Sequence, residues 1–180
     1  YDPAGAKKLL AEAGYPEGFG LTLHGPNNRY INDAQVVQTV AQLLNRVGIR
    51  AKVETLPLSV YFGKARASEY SMALLGWGSL ASDFTLRSIV GTPDADRGWG
   101  TWNWGRYSNP AVDALVQSAL ESVSPEQRED FARQAAKLAL DDVAVIPSHH
   151  QLASWGLRKG LKYDGRVDEF TYAHEVRSVK

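Results

Sequence analysis

The sequence predicts an α/β fold, a mainly parallel sheet with helices on both faces. Three observations carry it. Segments with helical spacing alternate with short strand-like runs, as in sheets whose strands are linked through helices. Residues 49–56 (Ile-Arg-Ala-Lys-Val-Glu-Thr-Leu) alternate with period two, so one face is buried and one wet. Met72-Ala73-Leu74-Leu75-Gly76-Trp77 is a continuous apolar run, as expected for a strand covered on both faces.

The elements follow in order. Asp2 reads as an N-cap, Pro3 as the first helical residue and Gly14 as the stop; Ala6, Leu9, Leu10 and Ala13 form one apolar stripe. A Pro-Glu-Gly turn then launches a strand through Leu21-Thr22-Leu23. Asn32 or Asp33 caps a second helix with Val36, Val37, Val40, Leu43, Leu44 and Val47 inward, and Gly48 ends it. Pro57 closes the next strand, Ser59 caps a short helix, and Asp83 caps another through Phe84, Leu86, Ile89 and Val90.

Residues 91–109 break the rhythm with Gly91, Gly98, Gly100, Gly105, Trp99, Trp102, Trp104 and Tyr107. A loop this long in a compact domain is often functional. Asn109-Pro110 starts a helix, Ser124-Pro125-Glu126-Gln127 reads as a capping box for one running to Asp141, and Val143–Pro147 is expected as a short strand. Turn signals at Lys159-Gly160 and Asp164-Gly165 punctuate a mixed tail.

Composition excludes several classes. The 180 residues hold 20 basic and 20 acidic side chains, so no net field favours nucleic acid or an anionic membrane. The absence of cysteine removes disulfides, thiolate metal sites and cysteine nucleophiles. No apolar run approaches the roughly 20 residues that span a bilayer. Gly-x-Ser-x-Gly, P-loop and strand-linked Gly-x-Gly-x-x-Gly patterns are missing. His149 and His150 are adjacent, so in an extended segment they point to opposite faces and do not share one metal ion. No catalytic residue, metal or cofactor is expected; a hydrolase has no positive feature. Ligands of such sheets sit beyond the carboxyl ends of strands, here the loop after Leu23, the Gly76-Trp77 exit and the tryptophan loop.

Five of these segments, in order, carry a resemblance. Residues 1–19 (Tyr-Asp-Pro through Ala-Lys-Lys-Leu-Leu-Ala-Glu-Ala-Gly-Tyr-Pro-Glu-Gly-Phe), the Leu44–Val53 junction, Gly76-Trp77, Tyr107-Ser108-Asn109-Pro110 with Asp113, and Val145-Ile146-Pro147 resemble the C-terminal lobe of family 5 extracellular solute-binding proteins. These are the dipeptide, oligopeptide and nickel receptors of bacterial ABC importers. The resemblance implies a type II periplasmic-binding-protein-like lobe over residues 1–160, and a tail, 161–180, that returns to a missing N-terminal lobe. The tail is expected to dock on this lobe or pair with a neighbouring copy. The resemblance also implies a periplasmic or lipid-anchored receptor that captures a small-molecule or peptide solute by closure of two lobes and hands it to a membrane permease.

The same resemblance assigns site residues. Trp77 lines the solute cleft, or else is a core residue capping its strand. Peptide-binding members commonly place an Asp three residues after this Trp, to pair with the peptide ammonium; here that position is Leu80. Asp83 substitutes for it or is a plain helix N-cap, and a neutral, acylated or non-peptide solute comes into view. Arg29 is the candidate partner for a peptide carboxylate, with Asn27 at the matching ungapped position. Asn28 and Tyr30 share the loop. Trp102 and Asn103 are candidates for closing over a solute. The alternative is a stand-alone carbohydrate-binding module built on the tryptophan loop.

Overall fold

The computed structural model describes residues 1–79 and 81–179; Leu80, expected in the solute wall, lies outside the described residues. The chain divides into two compact units, Tyr1–Gly76 and Trp77–Lys180.

The first unit opens with α1 (Pro3–Glu12). Asp2 Oδ1 accepts from the Gly5 N–H at 2.8 Å, and Gly14, with φ +87°, ends the helix. Its apolar stripe buries none of its residues here, and Leu9 stays 65% exposed. Strands β1 (Gly20–Pro26), β2 (Arg50–Leu56) and β3 (Met72–Ala73) form a parallel sheet in the order β2-β1-β3. Helix α2 (Asp33–Arg46) links β1 to β2, and α3 (Leu58–Arg66) links β2 to β3.

Side chains on a strand alternate between faces, and β1 shows what each face meets. Leu21, Leu23 and Gly25 face α2, where Leu23, Val37 and Ala41 are buried together. His24 faces the other way, its ring stacked on Tyr70 at 4.2 Å. Tyr61 of α3, fully buried, stacks on Tyr70 at 5.2 Å and donates to the Leu74 carbonyl at 2.8 Å. The sheet is thus helix-covered on both faces, as its apolar strands require. The apolar run 72–77 yields only a two-residue β3. One further bond, from Leu74 N–H to the His24 carbonyl at 2.9 Å, extends the contact before the chain leaves the sheet.

Of the two caps the sequence offers for α2, Asn32 is the N-cap, in the left-handed region at φ 55° and without a side-chain cap bond, while Asp33 is the first helical residue. Helix α3 begins at Leu58 rather than after Ser59.

The second unit is helical, with α4 (Ser82–Ile89), α5 (Pro110–Glu121) and α6 (Pro125–Asp141). Val90, Trp99, Val112, Val116, Ala135 and Ala139 form its core. The alanines of α6 let the helices approach closely. Ser124 caps α6 as expected, accepting from the Gln127 N–H at 3.4 Å. The strand expected at Val143–Pro147 does not form: Val143 takes a left-handed φ of 55°, and Ile146 is 68% exposed with no strand paired to it among the described residues. Residues 161–179 fold back locally. β4 (Leu161–Lys162) pairs antiparallel with β5 (Arg177–Ser178), and Arg166 holds both Asp168 and Glu175.

The Tyr107-Ser108-Asn109-Pro110 motif with Asp113 fastens the start of α5. Asn109 Oδ1 caps the helix through the Ala111 N–H at 2.9 Å, and its amide donates to Asp142 at 2.6 Å. The Tyr107 hydroxyl donates to the same carboxylate at 2.6 Å. Asp113 accepts from the Thr92 N–H at 2.9 Å and its hydroxyl at 2.6 Å.

Two predictions follow from this packing. A Cβ on Gly25 would lie 2.6 Å from Val37 Cγ1, so Gly25→Ala is expected to cost about 1–3 kcal/mol in urea unfolding, with part recovered by Val37→Ala. The hydrogen bonds from Tyr107 and Asn109 hold the Asp142 carboxyl below its usual range. Its contribution to stability is therefore present above the unfolded-state value of about 3.9 and lost as pH falls through the lower folded value. A carboxyl NMR titration should place Asp142 low in the wild type and move it upward in Tyr107→Phe.

Candidate functional site

The strand order β2-β1-β3 contains a switch point. The chain winds from β1 to β2 on one side, then crosses back to place β3 on the other. Crevices that admit ligands open at such reversals, outside the carboxyl ends of the strands. Here those ends are Gly25-Pro26 of β1 and Ala73-Leu74 of β3, and the loop from Asn27 to Asn32 stands above them.

Polar side chains build this loop tightly. Asn27 N–H donates to the Leu56 carbonyl at 3.1 Å, continuing the pairing of β1 with β2. Asn28 Oδ1 accepts from the Leu58 N–H at 2.8 Å, giving α3 the cap that Pro57 does not supply. Asp33, 4% exposed, accepts from the Arg29 and Tyr30 N–H groups at 2.8 and 3.0 Å and from the Ala34 N–H at 2.9 Å. These bonds give both oxygens of the buried side chain a donor at the start of α2. The Arg29 guanidinium lies 5.0 Å from the Tyr30 ring centre, exposed and with no carboxylate partner among the described residues. Tyr30 reaches Gly76, its hydroxyl donating to the Gly76 carbonyl at 3.4 Å. On the sheet face below, burial pushes the Tyr61 and Tyr70 phenols above their ordinary range.

The remaining candidates lie in the second unit. Trp77 is half-buried and donates its indole N–H to the Thr85 hydroxyl at 3.1 Å. Trp77 meets Trp102 edge-on at 5.4 Å, and Trp102 meets Trp104 at 5.7 Å. Trp99 is different: it is 5% exposed, in the helical core, with the Arg97 guanidinium 4.2 Å from its ring centre.

Asn103 serves the loop itself. Its amide donates to the Gly91 and Tyr107 carbonyls at 2.9 and 2.8 Å, and its oxygen accepts from the Tyr107 N–H at 2.9 Å. With both donors engaged, it offers a solute little. Asp83 is not the N-cap; that residue is Ala81. Asp83 sits second in α4, 7% exposed, with Arg128 Nε 3.9 Å from its carboxylate. Spacing marked Asp83 as a cap because it precedes the apolar turn; the pairing with a residue 45 positions away had no local signal. Asp33, the organiser of the loop, was read only as a possible cap.

Among the described residues no cluster of three or more His, Asp or Glu side chains is placed to hold a metal ion, and no helix is long and apolar enough to cross a membrane.

Residues 1–88 match the family described as Bacterial extracellular solute-binding proteins, family 5 Middle. The chain is 28% identical over 177 residues to Di/tripeptide-binding protein 1 of Pseudomonas aeruginosa, covering 94% of this chain and 32% of that protein. It is 30% identical over 156 residues to the glutathione-binding protein GsiB of Salmonella paratyphi A, covering 82% and 30%. It therefore spans about a third of the length of these curated relatives. Among solved structures, the periplasmic binding protein DppA of Helicobacter pylori, in complex with the peptide STSA, superposes with a TM-score of 0.69 at 27% identity over 80% of this chain and 28% of that one. HbpA2 of Haemophilus parasuis gives 0.77 at 22% identity over 99% and 37%, a likeness of fold. By its sequence relatives and its type II periplasmic-binding-protein-like fold, the chain belongs to the bacterial extracellular solute-binding proteins of family 5.

Proposed function

We propose that this chain is one lobe of a receptor that captures a peptide or peptide-like solute for an ABC importer, by closure against an N-terminal lobe of the same protein. The observation that carries the proposal is the strand-order reversal beneath the Asn27–Tyr30 loop, in a chain whose relatives include di/tripeptide-binding and glutathione-binding proteins. The receptor works outside the cytoplasmic membrane, in the periplasm or held by a lipid anchor, and delivers its solute to a membrane permease. It binds without turning its solute over. Residues 1–160 act as the lobe, and 161–180 lead back to the N-terminal lobe.

In this reading Trp77 supplies an apolar wall, with Trp102 beside it. Arg29, free of any carboxylate partner among the described residues, suits a solute carboxylate, because a guanidinium donates two parallel bonds to such a group. Asn27, Asn28 and Tyr30 shape the rim that presents it. Leu80 and the Arg128-paired Asp83 leave a free solute ammonium poorly served here, which favours a solute that is neutral or acylated at that end. The tryptophan loop fits a receptor wall better than a stand-alone carbohydrate platform, since Trp99 is committed to the core.

Closure between lobes makes affinity a property of both. Calorimetry with glutathione and a tripeptide panel, on the full-length receptor and on the isolated 180-residue chain, is expected to show affinity at least about a hundredfold weaker for the chain alone, because half of the enclosing surface is gone. Equal, tight affinity in both rejects closure between two lobes. In the full-length receptor, Trp77→Ala is expected to weaken binding by about tenfold or more, as for a buried aromatic anchor.

A further inference from the structure

We infer that Tyr30 is a positioning residue: its ring fills the place of a Gly76 side chain and so fixes the path by which the backbone leaves the sheet and enters Trp77. The inference rests on the reading above only in giving Trp77 a role in solute binding; the geometry stands without it.

The chain of support runs through the first unit. Asp33 holds the Tyr30 main chain from both directions: its carboxylate accepts from the Tyr30 N–H at 3.0 Å, and its own N–H donates to the Tyr30 carbonyl at 3.3 Å. With its backbone pinned, the Tyr30 ring reaches a residue 46 positions later in the sequence. A Cβ on Gly76 would lie 2.7 Å from Tyr30 Cε1, 3.0 Å from Cζ and 3.1 Å from Cδ1. No side chain other than hydrogen fits there while the ring stays. Gly76 has no such requirement from its φ, which is not in the left-handed region, so it is the ring that demands glycine. The hydroxyl adds its bond to the Gly76 carbonyl at 3.4 Å, and that carbonyl belongs to the peptide whose nitrogen is Trp77. β3 is only two residues long and its pairing with β1 ends at the Leu74 N–H, so ladder hydrogen bonds do little to hold residues 75–77 in place. The ring supplies what the short ladder does not.

Tyr30 thereby has a second role beside shaping the rim: its ring lies against the Gly76 backbone. A loop displaced by a solute would carry that peptide with it.

The test uses the full-length receptor labelled with 5-fluorotryptophan, the Trp77 resonance assigned through Trp77→Phe, together with urea unfolding of each variant. Gly76→Ala is expected to shift the Trp77 resonance and lower the unfolding midpoint. In a Tyr30→Ala background the same substitution should lower the midpoint by at most about half as much, because contacting residues couple. Tyr30→Phe keeps the ring and should leave the Trp77 resonance close to its wild-type position. Equal costs of Gly76→Ala with and without the ring, or a Trp77 resonance unmoved by Gly76→Ala, would overturn the inference. Neither readout needs a bound solute, so a receptor that ignores every peptide offered would defeat the proposed function and leave this result standing.

Discussion

One buried carboxylate organises the carboxyl edge of the sheet. Asp33 gathers three backbone N–H groups, from Arg29, Tyr30 and Ala34, at the start of α2. Neither oxygen of this buried side chain is left without a donor, which is what a buried polar group requires. The turn these bonds fix forces Asn32 into the left-handed region, a conformation that asparagine tolerates better than most residues. From that turn the other placements follow: Asn28 reaches the start of α3, Arg29 is left outward, and Tyr30 lies against Gly76. The loop is hydrogen-bonded where it meets the sheet and exposed where it meets solvent.

Much of the fold is legible because its signals are local. Asp2, Asn109 and Ser124 each cap the helix that the sequence assigns them, since an N-cap bond spans two or three residues. Gly14 and Gly48, at φ +87° and +103°, end α1 and α2 as their positions suggest. The failures share a cause. Val143–Pro147 has strand composition, yet a strand exists only where another lies beside it, and composition does not report a neighbour. Met72–Trp77 is apolar throughout, but its contact with β1 ends at Leu74.

The site is less legible than the fold. Asp83 and Asn103 were singled out as polar groups near a presumed mouth, and both serve the scaffold, one through Arg128 and one through the backbone of its own loop. Asp142, just past the end of α6, gathers Tyr107 and Asn109 without any local signal in the sequence. Sequence names the residue types able to bind a solute. It does not say which have already been claimed by the fold, because the claiming partners lie 4 to 45 positions away.

The tryptophan loop is fastened at two kinds of anchor. Trp99 packs into the helical core, and Asn103 ties the loop to itself through the backbone of Gly91 and Tyr107. How much change this stretch tolerates is therefore decided by its anchors rather than by its length.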